Sequence, residues 1–264
     1  MNIVEAIILG IVQGLTEFLP VSSSGHLEIG SVLLGVEGQD NLLFSILVHG
    51  ATALSTVVVF RKDIMILLKE SLQFQLNDST VYLFKILVSI IPVGIVGVLW
   101  KSEIEMFFGG KVIFVSAMLM ITALLLFFTH YAKEKEGEIT FVKAIVIGLA
   151  QTLAILPGIS RSGATISTAL LLGVDREKAA RFSFLMVLVP ILGATLLEVK
   201  DLLDMGVSST GDTSVVTYIA GFLAAFFAGM IACKWMINLV KRGKLLYFAL
   251  YCFIVGAVVM ITYW

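Results

Sequence analysis

Long apolar runs dominate the chain, and polar residues gather between them in short blocks. A bilayer core about 30 Å thick takes ~20 apolar residues per helix. Six runs meet that length, at 42–60, 81–100, 112–130, 182–199, 215–233 and 245–264. Two other stretches, 3–36 and 139–174, follow a different pattern. Each has an apolar half, a break of Pro, Ser and Gly, and a second apolar half of about ten residues. Halves that short predict re-entrant helical hairpins, because irregular backbone at membrane depth survives only inside protein or beside a wet cavity. Segment 61–78 mixes apolar and charged residues and predicts an amphipathic helix on the cytoplasmic membrane surface.

Composition agrees with this pattern. Of the 264 residues, 59% are hydrophobic and 14% charged, against about 25% charged in soluble domains. Mean hydropathy is +1.03. The fold class is therefore an all-α polytopic membrane protein, and a nucleic-acid partner is not expected. Cys233 and Cys252 lie in apolar runs and suggest no disulfide framework. The start, Met-Asn-Ile-Val-Glu, lacks a basic n-region and is not followed by a small-residue cleavage site, so a removable signal peptide is not expected.

The chain repeats itself. An offset of 138 relates Gly10 to Gly148, Gln13 to Gln151, Ser24 to Ser162 and Gly25 to Gly163. The same offset relates the Leu-Leu-Gly-Val ending at Val36 to that ending at Val174, and Phe44-Ser45 to Phe182-Ser183. Pro20 and Pro157 slip by one position. Repeat one covers 1–130 and repeat two 139–264, together forming one membrane domain. Each holds one hairpin and three spans, so the second is expected to be inverted relative to the first. Twelve Lys and Arg residues, including Arg61, Lys133, Lys135, Arg176 and Lys241, fall on the side opposite the N-terminus, and Lys101, Lys111 and Lys200 on the other. Cytoplasmic loops are enriched in these residues, which predicts extracytoplasmic termini. The hairpins then dip in from opposite faces, and their tips can meet.

Those tips carry the candidate chemistry. Glu17 lies four residues after Gln13 on one helix face. Carboxylate and amide oxygens facing a cavity suit a hard divalent cation, Mg2+ or Ca2+. Glu17 could equally orient a histidine or act as a base. Ser22-Ser23-Ser24-Gly25-His26 offers hydroxyls and an imidazole close together. Ser160-Arg161-Ser162-Gly163, followed by Thr165, joins a fixed cation to hydroxyls and amides at a predicted helix start, a combination that binds phosphate. Gln151, the repeat mate of Gln13, is grouped with these phosphate-binding residues. Joined by inverted symmetry, the two tips make a phosphoryl-transfer site. His49 and Lys85 lie in spans and could reach the cavity, with structural roles at least as well supported. Glu5, Glu28 and Glu198 flank apolar runs and His130 ends one. Gly94 and Gly97 near Pro92 suggest helix packing or a kink.

At these residues the chain resembles the undecaprenyl-diphosphate phosphatases, the bacitracin-resistance family of bacterial membranes. Q-G-L-T-E-F-L-P-V-S-S-S-G-H and P-G-I-S-R-S-G-A-T look like its two signature regions, and the likeness covers essentially the whole chain. The resemblance implies hydrolysis of undecaprenyl diphosphate to undecaprenyl phosphate and inorganic phosphate, with dependence on a divalent cation. It also implies a bacterial inner-membrane location, a polyprenyl diphosphate lipid as partner within the bilayer, and room for a homodimer. It places Glu17 as the acid of the Glu/Gln-x-x-x-Glu motif, Ser23 and His26 in catalytic positions, and Ser160, Arg161 and Thr165 in phosphate-binding ones. Gln13 stands where many relatives have a carboxylate, which weakens any case for two tightly held metals.

Serine, histidine and water all remain open as nucleophile. Inverted repeats with broken helices also describe carriers, so a polyprenyl-phosphate transporter, alone or coupled to hydrolysis, is the alternative. A lipid phosphatase of the acid-phosphatase type would need a histidine where this chain has Ile166.

Overall fold

The computed structural model describes all residues except 37–38, 74, 109–110, 133–135, 205–212 and 264, together with the helical side chains at 39–42, 105 and 201–204. Lys133, Lys135 and Trp264 thus lie outside the described residues. The rest is helical, and its one extended pairing is an isolated bridge between Gly137 and Val174. In order the helices are α1 (Ile3–Phe18), α2 (Ser23–Leu34), α3 (Gln39–Val59), α4 (Arg61–Ser71), α5 (Asp78–Leu99), α6 (Lys101–Glu105) and α7 (Val112–Phe128). They continue with α8 (Phe141–Leu153), α9 (Arg161–Leu171), α10 (Arg176–Met186), α11 (Leu188–Asp204), α12 (Val215–Lys241) and α13 (Leu246–Tyr263).

Side-chain caps start these helices where the sequence supplies them. Asn2 accepts from Val4 and Glu5 N–H while Glu5 reaches back to Asn2 N–H, a capping box that gives Glu5 a local task. Asn77, Thr140, Asp175 and Ser214 cap α5, α8, α10 and α12. The repeated Leu-Leu-Gly-Val stops α2 and α9 in the same way. Gly35 and Gly173 take φ of +67° and +73°, and the following valine N–H reaches back to Ser31 or Ala169 carbonyl at 2.9 and 3.0 Å. An L side chain resists that left-handed turn, so glycine ends both helices.

Five described helices are long and apolar enough to cross a membrane: Asp78–Leu99, Val112–Tyr131, Arg176–Lys200, Val215–Lys241 and Leu246–Tyr263. A sixth span forms if Leu43–Val59 is counted with Arg61–Ser71, which bends away from it by 74°. Their outer faces carry exposed Leu124, Phe227, Ile231, Phe253 and Ile254. A water-soluble surface does not expose apolar area on that scale. The interior, in contrast, holds Gln13, Thr52, Ser55, Ser89, Ser116 and Thr122 fully buried. The protein is an all-α, multi-pass membrane protein.

The helical spans agree with the apolar runs except at their ends. The run read as 182–199 begins earlier, at Arg176, and turns at Val187 between α10 and α11. Pro190 lacks the N–H that would bond Met186 carbonyl four residues back. The surface helix expected over 61–78 stops at Ser71, and Asp78 already belongs to α5. A Cβ added at Gly94 or Gly97, read as helix-packing or kink positions, meets nothing within 4 Å among the described residues.

Helix α1 folds back on α2, and α8 on α9. Each first half packs on a span from the other repeat, α1 on α12 and α8 on α5. The approach is backbone-close. A Cβ on Gly10 would lie 2.4 Å from Gly221 carbonyl oxygen, and one on Gly148 2.1 Å from that of Ser89. Helix α7 touches both α2 and α9, so one span braces both hairpins.

Candidate active site

The two breaks, residues 19–22 and 154–160, bring the second halves of the hairpins tip to tip. A Cβ on Gly25 would lie 3.2 Å from Gly158 Cα, and one on Gly163 3.5 Å from Pro20 Cβ. Thr122 of α7 holds the second break by donating to Gly158 carbonyl at 3.0 Å and accepting from Ser160 N–H at 2.9 Å. Ser22 and Ser160 cap the two helices, their hydroxyls accepting from Gly25 N–H at 3.3 Å and Gly163 N–H at 3.0 Å. The next residues, Ser23 and Arg161, are the first of α2 and α9, and both turn to Glu17.

Glu17, with a side chain only 3% exposed, is the hub. Its Oε1 accepts from Arg161 Nη2 in an ion pair across the two hairpins. Its Oε2 accepts from Ser23 Oγ at 2.6 Å and from Gln13 Nε2 at 2.9 Å. His49 Nε2, on α3, stands 4.0 Å from the same oxygen. Thr52, one turn further along α3, accepts from Gln13 Nε2 at 3.4 Å. An ionised carboxylate at this depth is tolerable only with such partners.

A cavity of about 10 Å³ adjoins the ion pair, lined by Glu17, Phe18, Thr56, Arg161, Ser162, Ser183 and Phe184 among others. That is room for about one water.

The remaining sequence candidates are distributed around this hub. Ser162 donates to Leu19 carbonyl at 3.3 Å, tying the second tip to the first break, and lies 3.3 Å from Ser160 Oγ. Ser24 Oγ lies 3.4 Å from Ser22 Oγ. Thr165 is buried against Ser183 Oγ at 2.5 Å and Arg161 carbonyl at 2.9 Å, buttressing the arginine from below. His26 faces elsewhere. Its Nδ1 donates to Ser22 carbonyl at 2.8 Å, and its Nε2 therefore accepts from Tyr251 hydroxyl at 2.9 Å. The two rings stack at 5.6 Å. Gln151 is buried, and among the described residues neither polar atom of its amide has a hydrogen-bond partner.

Lys85 does not reach the cavity. Its ammonium lies over the Phe141 ring at 5.8 Å, beside a separate groove lined by Asp63, Tyr82, Glu138 and Arg181. His130 sits in a 3-10 turn against Tyr131. His49, given no more weight than Lys85 in the sequence, is beside Glu17. The signal for it was a polar stripe, Ser45, His49, Thr52 and Thr56, at helical spacing inside an apolar span. The pairing of Tyr251 with His26 had no such signal.

Among the described residues no three His, Cys, Asp or Glu side chains converge as a metal cluster. The oxygens nevertheless suit one divalent cation shared with a substrate. Gln13 Oε1 is buried without a hydrogen-bond partner, next to one carboxylate and a serine hydroxyl. Mg2+ is held by one or two carboxylates plus substrate phosphates. A second tightly held ion has no second carboxylate here.

A sequence profile of the family described as Bacitracin resistance protein BacA matches residues 6–258. An undecaprenyl-diphosphatase of Bacteroides fragilis is 53% identical over 259 residues, covering 98% of this chain and 97% of its own. One from Bacteroides thetaiotaomicron is 53% identical over 263 residues, covering 99% of each chain. One from Methanobrevibacter smithii is 37% identical over 276 residues, covering 98% of this chain and 97% of its own. The chain belongs to the bacitracin resistance protein family.

Proposed function

We propose that this membrane enzyme hydrolyses undecaprenyl diphosphate to undecaprenyl phosphate and inorganic phosphate at the junction of its two hairpins. The observation that carries the reading is the buried Glu17, shared between Ser23 of its own hairpin and Arg161 of the other. The names of relatives 53% identical over nearly the full chain support the substrate.

Arg161 leaves Glu17 for the diphosphate and grips two of its oxygens at once. Ser23 Oγ attacks the terminal phosphorus, Glu17 Oε2 takes its proton, and the anhydride P–O bond breaks to release the lipid monophosphate, which carries that proton away. Water then attacks the phosphoserine, Glu17 takes a proton from it and returns that proton to Ser23 Oγ as the P–O bond to serine breaks and inorganic phosphate leaves. Ser23 is favoured over His26 as nucleophile because its hydroxyl already donates to the base, whereas both His26 ring nitrogens are engaged with Ser22 and Tyr251. Ser160 and Ser162 hold the second tip in place. A divalent cation, Mg2+ or Ca2+, would be held by Gln13 Oε1 and Glu17 and would neutralise charge on the phosphates.

The same reading makes the two halves inverted repeats whose re-entrant hairpins enter from opposite faces, with both termini extracytoplasmic. The Lys and Arg distribution and the exchanged packing of α1 on α12 and α8 on α5 support it. The polyprenyl tail lies in lipid against the spans, and a homodimer is compatible with that placement.

The test is phosphate release from polyprenyl diphosphate by purified protein in detergent, where a carrier has no membrane to cross. Wild type releases phosphate, chelator suppresses it, and acid quenching with a radiolabelled terminal phosphate traps label on Ser23. Release without any trapped label, and undiminished in Ser23→Ala, would leave water as the nucleophile.

A further inference from the structure

Beside Glu17, an imidazole nitrogen faces a carboxylate oxygen. His49 Nδ1 lies 2.8 Å from Ser45 carbonyl oxygen, and since that oxygen has no proton to give, the ring nitrogen donates. Neutral His49 therefore carries its lone pair on Nε2, and Nε2 is 4.0 Å from Glu17 Oε2. A lone pair opposite a carboxylate oxygen with no proton between them is repulsive unless a cation sits there. A third acceptor belongs to the same cluster: Gln13 Nε2 donates to Glu17 Oε2, and Oε1 of that amide is buried with no hydrogen-bond partner among the described residues.

We infer that His49 Nε2, Glu17 and Gln13 Oε1 are together the protein ligands of a divalent cation. The inference rests on the phosphatase reading above and deepens it by adding a nitrogen to an oxygen site. Metal–ligand bonds of about 2.1 Å put two ligands of one ion roughly 3 to 4 Å apart, and His49 Nε2 stands 4.0 Å from Glu17 Oε2. Anchoring of the other ring N–H on a backbone carbonyl is how metal-binding histidines are commonly held. Substrate phosphate oxygens complete the shell. An imidazole in the set favours Mn2+ or Zn2+ over Ca2+, which takes oxygen alone.

The experiment needs no turnover. Purified protein in detergent, without substrate, is titrated with Mn2+ and followed by electron paramagnetic resonance. Wild type binds Mn2+ with modulation from an imidazole nitrogen. His49→Gln loses that modulation, binds Mn2+ about tenfold more weakly, and lets Ca2+ compete better than it does in wild type, because an amide oxygen has replaced the nitrogen. A Mn2+ signal free of nitrogen in wild type, equal affinity in His49→Gln, or no bound Mn2+ each overturns the assignment. The first two leave His49 as a protonated partner of Glu17. Phosphate release from the same preparation is scored separately. Turnover with a nitrogen-free signal removes His49 from the ligands and keeps the phosphatase, whereas a preparation without turnover removes the phosphatase reading itself.

Discussion

Ser23 and Arg161 are the same position of the same motif, 138 residues apart. Each is the first residue of a short helix, each follows a capping serine, and each turns to Glu17. One became a hydroxyl and the other a cation. The acid that joins them has no mate, because the position equivalent to Glu17 is Ile155. The repeat thus supplies a symmetric frame of caps, glycines and close helix contacts, and the proposed chemistry lies at the two repeat positions, 17/155 and 23/161, where the halves differ. A symmetric site with two acids or two arginines would bury like charges together and be pushed apart.

The largest expected effect tests that asymmetry directly. Arg161→Ala is expected to lower phosphate release by about 10²–10³-fold or more, the scale seen when a donor to developing negative charge is removed. It also leaves Glu17 buried and unpaired, which costs about 3–5 kcal/mol, so loss of activity alone does not separate catalysis from folding. The double variant Glu17→Gln with Arg161→Ala removes both charges and is expected to regain thermal stability while remaining inactive. If Arg161→Ala retained near-normal turnover, the second tip would hold the fold and not the phosphate.

A smaller effect separates the two capping serines. Both accept from the glycine amide three residues on, yet Ser160 has φ of −72° and Ser22 has φ of +70°. A non-glycine residue held there stores about 1–3 kcal/mol, and such strain gathers at functional sites. Glycine substitution costs a cap only a few tenths of a kcal/mol. Ser160→Gly is therefore expected to destabilise slightly, while Ser22→Gly is expected to stabilise by about 1 kcal/mol and to lower turnover, because the strained turn is what aims Ser23 at Glu17. Thermal unfolding of the two purified variants makes the comparison. Equal shifts of the same sign would mean that the turn holds no strain.

Much of this arrangement was legible in the sequence. Apolar runs gave the spans, and the repeated Leu-Leu-Gly-Val gave two helix ends with the same geometry. The charged residues inside apolar hairpins pointed to Glu17 and Arg161, because burial at that depth requires partners. What could not be read was direction. Sequence spacing placed His26 on the same helix face as Ser23, yet its ring bonds Ser22 carbonyl and Tyr251 hydroxyl on α13. Thr165, read as a phosphate ligand, has its hydroxyl against Arg161 carbonyl and Ser183 Oγ, contacts that its spacing did not announce. Such contacts depend on how distant helices cross, and local pattern does not carry that information. His49 was the reverse case: its polar stripe was visible, and its weight came only from the packing of α3 beside Glu17.

The smallest effect belongs to the two glutamines, which mark where symmetry survives without use. Gln13 donates to Glu17 and to Thr52, whereas Gln151 stands four residues before Ile155 and makes no hydrogen bond through either polar atom. A buried amide without partners is destabilising by about 1–3 kcal/mol, and replacing it with an apolar group of similar shape is neutral or favourable. Gln151→Leu is accordingly expected to leave phosphate release within about twofold of wild type and to raise thermal stability by up to about 1 kcal/mol. Gln13→Leu takes a donor from Glu17 and an oxygen from the proposed cation site, and is expected to lower turnover by about tenfold or more. Phosphate-release assays and unfolding curves on the two variants decide it. A large loss of activity in Gln151→Leu would mean that its amide turns to the phosphate once Arg161 has moved, and that both halves of the repeat contribute the residue they share.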